Sequence, residues 1–78
     1  MEKSYNFRIM LRKEPEGGYT AFVPSLPGCV TYGETIDEAI VMTREAVELY
    51  IESLIEHNEP VPSEEDVFEY NLQINALA

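Results

Sequence analysis

The chain has 78 residues, 45% of them hydrophobic, with 15 Asp+Glu against 5 Lys+Arg and a formal net charge of −10. That length holds one domain near the lower limit for a self-sufficient core, and the hydrophobic fraction argues against a disordered chain. Charge of this sign disfavours direct binding of DNA or RNA phosphates by this chain alone. It fits either a basic partner, whose approach would be steered and would weaken with salt, or simple solubility.

Cys29 is the single cysteine, so no intramolecular disulfide and no thiolate-rich metal site can form. That suits a reducing cytosol. No apolar run approaches the ~20 residues of a membrane span, and Met1-Glu2-Lys3-Ser4 does not resemble a signal peptide. A soluble cytoplasmic protein with no membrane partner is expected.

Residues 4–13 alternate, with Tyr5, Phe7, Ile9 and Leu11 on one face and Asn6, Arg8, Met10 and Arg12 on the other. Period two predicts a half-buried strand. Lys3, Arg8, Arg12 and Lys13 make it the one basic segment. Glu14-Pro15-Glu16-Gly17-Gly18 breaks the pattern as a hairpin-type turn: Pro15 has no N–H, and Gly17 and Gly18 allow positive φ. Residues 19–23 form a second strand that is apolar on both faces. Pro24-Ser25-Leu26-Pro27-Gly28 turns the chain, because two prolines bar a continuous ladder. A short third strand is predicted over residues 29–32, with Gly33 ending it.

Thr35-Ile36-Asp37-Glu38 fits a capping box: the Thr35 hydroxyl accepts from the Glu38 N–H, and the Glu38 carboxylate reaches back to the Thr35 N–H. From Ile36 the apolar positions Ala39, Ile40, Thr43, Ala46, Val47, Tyr50, Ile51 and Leu54 recur at helical spacing to about His57. Asn58, Pro60 and Pro62 stop the helix. After the charged connector 63–66, residues 67–74 alternate again, with Phe68, Tyr70, Leu72 and Ile74 against Glu69, Asn71 and Gln73. The order β-β-β-α-β predicts an α+β fold, a small and mainly antiparallel sheet with one long helix packed on one face. The other sheet face has no helix to cover it, so a homodimer or larger assembly is expected.

Catalytic arrangements are poorly supported. His57 is the only histidine and stands at the end of the helix, suited to a dipole contact rather than to general base work. Cys29, flanked by apolar residues, reads as a small buried hydrophobe. No HxxxH, CxxC or calcium-loop pattern supplies a metal site, and the consecutive acids Glu64-Glu65-Asp66 diverge, as in a solvated connector. Gly17-Gly18 lacks the spacing of a phosphate loop. Neither a catalytic residue nor a metal or cofactor site is therefore expected. Glu45, Glu48, Glu52 and Glu56 form a carboxylate stripe on the helix; like charges at these spacings cost about 0.2–0.5 kcal/mol per pair. The stripe is either a solvated face or one that awaits a basic partner.

The order G-G-Y-x-A-x-V-P-x-L-P-G-C-x-x-x-G-x-T runs through Gly17, Gly18, Tyr19, Ala21, Val23, Pro24, Leu26, Pro27, Gly28, Cys29, Gly33 and Thr35. It resembles the HicB-like antitoxin family. Glu38-Ala39, Ala46, Leu49-Tyr50, Glu59-Pro60 and Pro62 continue the likeness, which covers about residues 5–62. The resemblance implies one HicB-like domain over residues 1–78, a truncated ribonuclease-H-like fold without nuclease activity, and assembly as a dimer or tetramer. It also implies a partner, a small basic HicA-type ribonuclease toxin whose active site or RNA surface is masked. Many relatives carry a C-terminal helix-turn-helix or ribbon-helix-helix segment that binds operator DNA; residues 1–78 are expected to hold neither.

On this reading Glu45, Glu48 and Glu52 are the partner-binding candidates, while Gly17, Gly18, Pro24, Pro27, Gly28, Thr35 and Glu38 shape the backbone. Two other readings compete: a homo-oligomeric structural or regulatory module without a toxin, and a metal-assisted nuclease suggested by fold analogy alone.

Overall fold

The computed structural model describes residues 3–77, so Met1 and Glu2 of the leader reading and the last residue of the tail lie outside the described residues. Four elements follow in order: β1 (Met10–Lys13), β2 (Tyr19–Phe22), β3 (Val30–Gly33) and α1 (Ile36–Glu56). The strands form one antiparallel sheet in the order β1-β2-β3, with Met10 opposite Phe22 and Phe22 opposite Val30. The helix packs on one face of this sheet, chiefly over β3 and β2. The α+β class with one long helix on one face is therefore correct.

Three strand expectations need correction. The first strand begins at Met10, not at residue 4. The β1–β2 register explains why: continued backwards, it sets Arg8 opposite Pro24, which has no N–H to donate. The Arg8 N–H bonds instead to the Glu64 carboxylate, at 3.1 Å to Oε1 and 3.3 Å to Oε2. The expected last strand, residues 67–74, joins no ladder within the described chain. Its alternation is a strand pattern, but a strand exists only against a partner, and here none lies beside it. The third strand is shifted by one residue, to Val30–Gly33.

Each turn follows its punctuation. Gly17 N–H donates to Glu14 O across Pro15 at 3.1 Å, and Glu14 N–H donates to Gly18 O at 3.0 Å. Gly17 and Gly18 have φ of 110° and 79°, the left-handed side that glycine enters without a Cβ penalty. Glu14 fastens the hairpin by accepting from the Thr20 hydroxyl at 2.8 Å and from Arg12 Nε at 3.1 Å. These contacts hold its carboxyl below the ordinary range, the Thr20 bond contributing most. The corner is two successive β-turns, each with proline at its second position. Leu26 N–H donates to Val23 O, and Cys29 N–H donates to Leu26 O, both at 3.0 Å. Gly28, at φ 83°, supplies the positive angle that a type II turn needs after Pro27.

At the helix start the Thr35 hydroxyl accepts from the Glu38 N–H at 3.1 Å, as expected. The reciprocal half differs by one residue: Glu38 Oε1 accepts from the Glu34 N–H at 3.2 Å, not from Thr35. At the other end Asn58 takes φ 57°, its N–H donating to Ile55 O at 3.1 Å while the Glu59 N–H donates to Leu54 O at 2.8 Å. That pair of bonds is a Schellman cap, with asparagine in the left-handed position.

The core lies between the corner and the middle of α1. Val23, Leu26 and Cys29 are buried, with Phe7, Ile9, Ala46, Val47 and Tyr50 packed around them. Tyr50 donates its hydroxyl to Pro27 O at 2.9 Å, tying helix to corner. Higher up, the fully buried Thr43 donates to Ala39 O at 2.7 Å and shares a 2.8 Å hydroxyl contact with Thr31 of β3. The opposite sheet face is bare. Met10, Phe22 and Val30 form one row across it, with Tyr32 beside them, and all four are exposed.

Candidate functional site: the outer face of the helix

The side of α1 away from the sheet carries Glu45, Glu48 and Glu52, all exposed, with Glu56 following. At 100° per residue these four fall within about 80° of arc. Three ion pairs occur among the described residues, Arg8–Glu64 at 3.0 Å, Arg8–Glu69 at 3.7 Å and Arg12–Glu14 at 3.1 Å. None involves an acid of the helix. The basic residues Arg8 and Arg12 are thereby engaged with acids of their own chain, while the helical stripe makes no ion pair among the described residues and has only Arg44, four residues before Glu48, as a cation on the same helix.

Sequence reasoning missed the apolar residues in and beside that arc. Val41 falls within the arc of the acids, Leu49 and Met42 lie about 20° and 40° beyond its edge, and all three are exposed, Leu49 to 67%. The face is therefore acidic and apolar together, the composition of a surface suited to a partner with both cationic and apolar groups. A signal for it exists in the sequence: these three residues fall outside the i, i+3, i+4 stripe that packs on the sheet.

The remaining candidates stay apart. Cys29 is buried under the corner, and burial pushes its thiol above the ordinary range, opposite to what a reactive thiolate needs. His57 caps the far end of the helix, with Nδ1 2.7 Å from Ser53 O. Among the described residues no group of three or more His, Cys, Asp and Glu gathers to hold a metal ion. No helix of the described chain is long and apolar enough to cross a membrane. Gly17, Gly18, Pro24, Pro27, Gly28, Thr35 and Glu38 all sit in turns or at the helix cap, where they shape the backbone.

Glu64 is the second unforeseen residue. Its side chain is 8% exposed and clasps Arg8 through backbone and guanidinium, the Arg8 Nε bond being 3.0 Å. Burial works to raise its carboxyl, but hydrogen bonds from the Ser25 hydroxyl and from Arg8 outweigh it and leave the group below its ordinary 4.5. A lowered native value means stability that is present above pH 4.5 and is lost as pH falls through the native value. Glu64→Gln is expected to lower stability at pH 7 by about 1 kcal/mol. Its deficit against the parent should shrink below pH 4.5, as read from denaturant midpoints across pH.

With this geometry in place, known proteins give the comparison. The family described as "HicB_like antitoxin of bacterial toxin-antitoxin system" matches residues 7–75. The chain belongs to the HicB-like antitoxin family. Among its relatives, the UPF0150 protein ssr1765 of Synechocystis is 54% identical over 61 residues, covering 78% of this chain and 77% of the relative. Antitoxin HicB 1 of Photorhabdus laumondii is 33% identical over 60 residues, which cover 77% of this chain but 39% of that longer protein. The crystal structure of the N-terminal domain of Burkholderia pseudomallei antitoxin HicB matches with a TM-score of 0.66 and 40% identity, over 78% of this chain and 76% of that one. This HicB-like chain thus shares sequence and fold with an antitoxin's N-terminal domain.

Proposed function

We propose that this HicB-like chain is a non-enzymatic protein-binding module that neutralises a small, basic HicA-type ribonuclease toxin by covering its active site or RNA-binding surface. The observation that carries the reading is the outer face of α1, where Glu45, Glu48 and Glu52 stand without ion-pair partners among the described residues, beside exposed Val41, Met42 and Leu49. A ribonuclease must present cationic groups to hold RNA phosphates, and a stripe of carboxylates on a rigid helix competes for those groups. The net charge of −10 steers a cationic partner toward the chain. The apolar residues in and beside the acidic arc then hold the complex once water is excluded. A cytoplasmic location and assembly as a homodimer or tetramer belong to the same reading, as does the absence of direct nucleic-acid binding by this chain alone.

Co-expression with a HicA-type toxin tests it. The parent chain is expected to restore growth and co-purify with the toxin. The triple variant Glu45→Lys, Glu48→Lys, Glu52→Lys should bind about 100-fold more weakly, taking roughly 1 kcal/mol per lost pair, while its circular dichroism stays unchanged. Equal protection by parent and variant would refute the assignment of this face.

A second reading, a homo-oligomeric module without a toxin, is favoured by the bare sheet face of Met10, Phe22, Val30 and Tyr32. It predicts self-association and no toxin bound in the same co-expression.

A further inference from the structure

The outer edge of β1 is an unpaired sheet edge. Two bonds set the parity of the ladder: Glu14 N–H donates to Gly18 O, and Val23 N–H donates to Cys29 O. With Met10 opposite Phe22 and Arg12 opposite Thr20, the even-numbered residues turn their backbone groups toward β2. Leu11 and Lys13 therefore aim theirs outward, where the order β1-β2-β3 places no strand among the described residues. The same alternation, carried back along the chain, does so for Phe7 and Ile9. Beside this edge runs a groove with an apolar floor, lined by Tyr5, Phe7 and Ile9 from the strand side and by Val47 and Ile51 from the helix, with the charged Arg44 and Glu48 also lining it on the helix side. An edge with open donors and an apolar floor is a template for one more strand.

Residues 67–74 have the form of that strand. Phe68, Tyr70, Leu72 and Ile74 alternate with polar residues and are exposed by 90, 85, 72 and 72%. Beyond the Val67 N–H bond to Glu64 O, no backbone hydrogen bond holds residues 68–77 among the described residues. Eight extended residues span about 26 Å, the length of residues 5–12. The root of the segment is fixed by Glu64 and Glu69 to Arg8. Arg8 is even-numbered, so its N–H, which Glu64 accepts, points to the β2 side of the strand. Glu64 thus meets Arg8 on the side away from the free edge of its own subunit, and no described residue of that subunit pairs with the edge.

We infer that residues 67–74 are an exchanged strand, which pairs with the outer edge of β1 in a second copy of this chain and lays Phe68, Tyr70, Leu72 and Ile74 into that copy's groove between strand and helix. Reciprocal exchange closes a two-fold dimer and leaves neither edge exposed. The strand pattern that finds no ladder within one chain finds it in the other. This rests on the homo-oligomer part of the proposed function, and Glu48 borders both this groove and the face proposed for the toxin.

Light scattering of the full chain from about 1 to 200 µM, joined to isotope-filtered nuclear Overhauser measurements on mixed labelled and unlabelled protein, tests the exchange. The parent is expected to be a dimer, with methyl contacts from Leu72 and Ile74 of one copy to Phe7, Ile9 or Leu11 of the other. Tyr70→Lys with Leu72→Lys alters exposed residues, so it should leave the helical circular dichroism intact while raising the dimer dissociation constant at least 100-fold. Two chains of charge −10 repel, so added salt should tighten the dimer, whereas it should weaken a toxin complex. A double variant that stays dimeric, or Leu72 contacts that arise within one chain, would overturn the exchange alone. A parent that is monomeric throughout would overturn the homo-oligomer reading with it.

Discussion

Gly33→Ala is expected to destabilise the protein by about 3 kcal/mol, the upper part of the range for forcing atoms into a packed site. Gly33 ends β3 and is buried where the chain turns toward Thr35. A Cβ there would collide with the helix backbone at the Ala39 nitrogen, and would lie 2.7 Å from the Ala39 Cα and 2.9 Å from the Glu38 carbonyl carbon. Backbone in the first turn of a capped helix cannot step aside as a flexible side chain could. For a chain of 78 residues total stability is about 4–12 kcal/mol, so the loss should lower Tm by roughly 12–24 °C. Gly28→Ala separates space from backbone angle. Nothing lies within 4 Å of a Cβ at Gly28, and its φ is +83°. That change should cost only the ~1–2 kcal/mol of a left-handed non-glycine residue. Thermal unfolding of the two variants should rank Gly33→Ala well below Gly28→Ala.

The second large effect is at Leu26. It is fully buried at the centre of the corner, between the two proline turns, against Val23 and Cys29. Leu26→Ala removes the plug by which the corner sits on α1 and leaves a cavity that the two turns, each closed by its own hydrogen bond, cannot collapse to fill. The expected cost is about 3–5 kcal/mol, a large fraction of the total, and urea unfolding should show it as a lower midpoint. Toxin binding per folded molecule should be unaffected, because the corner packs inward while the acids of α1 face outward. This outcome distinguishes a structural signature from a binding one.

The parts of the fold that were legible in the sequence are those written in local chemistry. Thr35 and Glu38 mark the helix start, Asn58 with Pro60 its end, and Pro24, Pro27 and Gly28 the corner, because each acts within four or five residues of itself. What escaped depends on partners distant in sequence. Nothing near Arg8 shows that the ladder register will set it against Pro24, and nothing near Glu64 shows that it will fill that gap 56 residues away. The alternation of residues 67–74 was legible, but which edge it meets is a property of the folded surface. The candidate site divides in the same way. The spacing of Glu45, Glu48 and Glu52 gave the acidic stripe directly. The exposure of Val41, Met42 and Leu49 beside it became visible only with the helix docked.

The most direct test of the account maps the toxin contact residue by residue, by backbone amide chemical-shift changes in the labelled chain as unlabelled HicA-type toxin is added. The account predicts that the changes concentrate on the outer arc of α1, at Val41, Met42, Glu45, Glu48, Leu49 and Glu52, with the corner around Leu26 nearly silent. Changes centred on the Pro24-to-Cys29 corner or on the bare sheet face of Phe22 and Val30, with the helix arc unmoved, would contradict it.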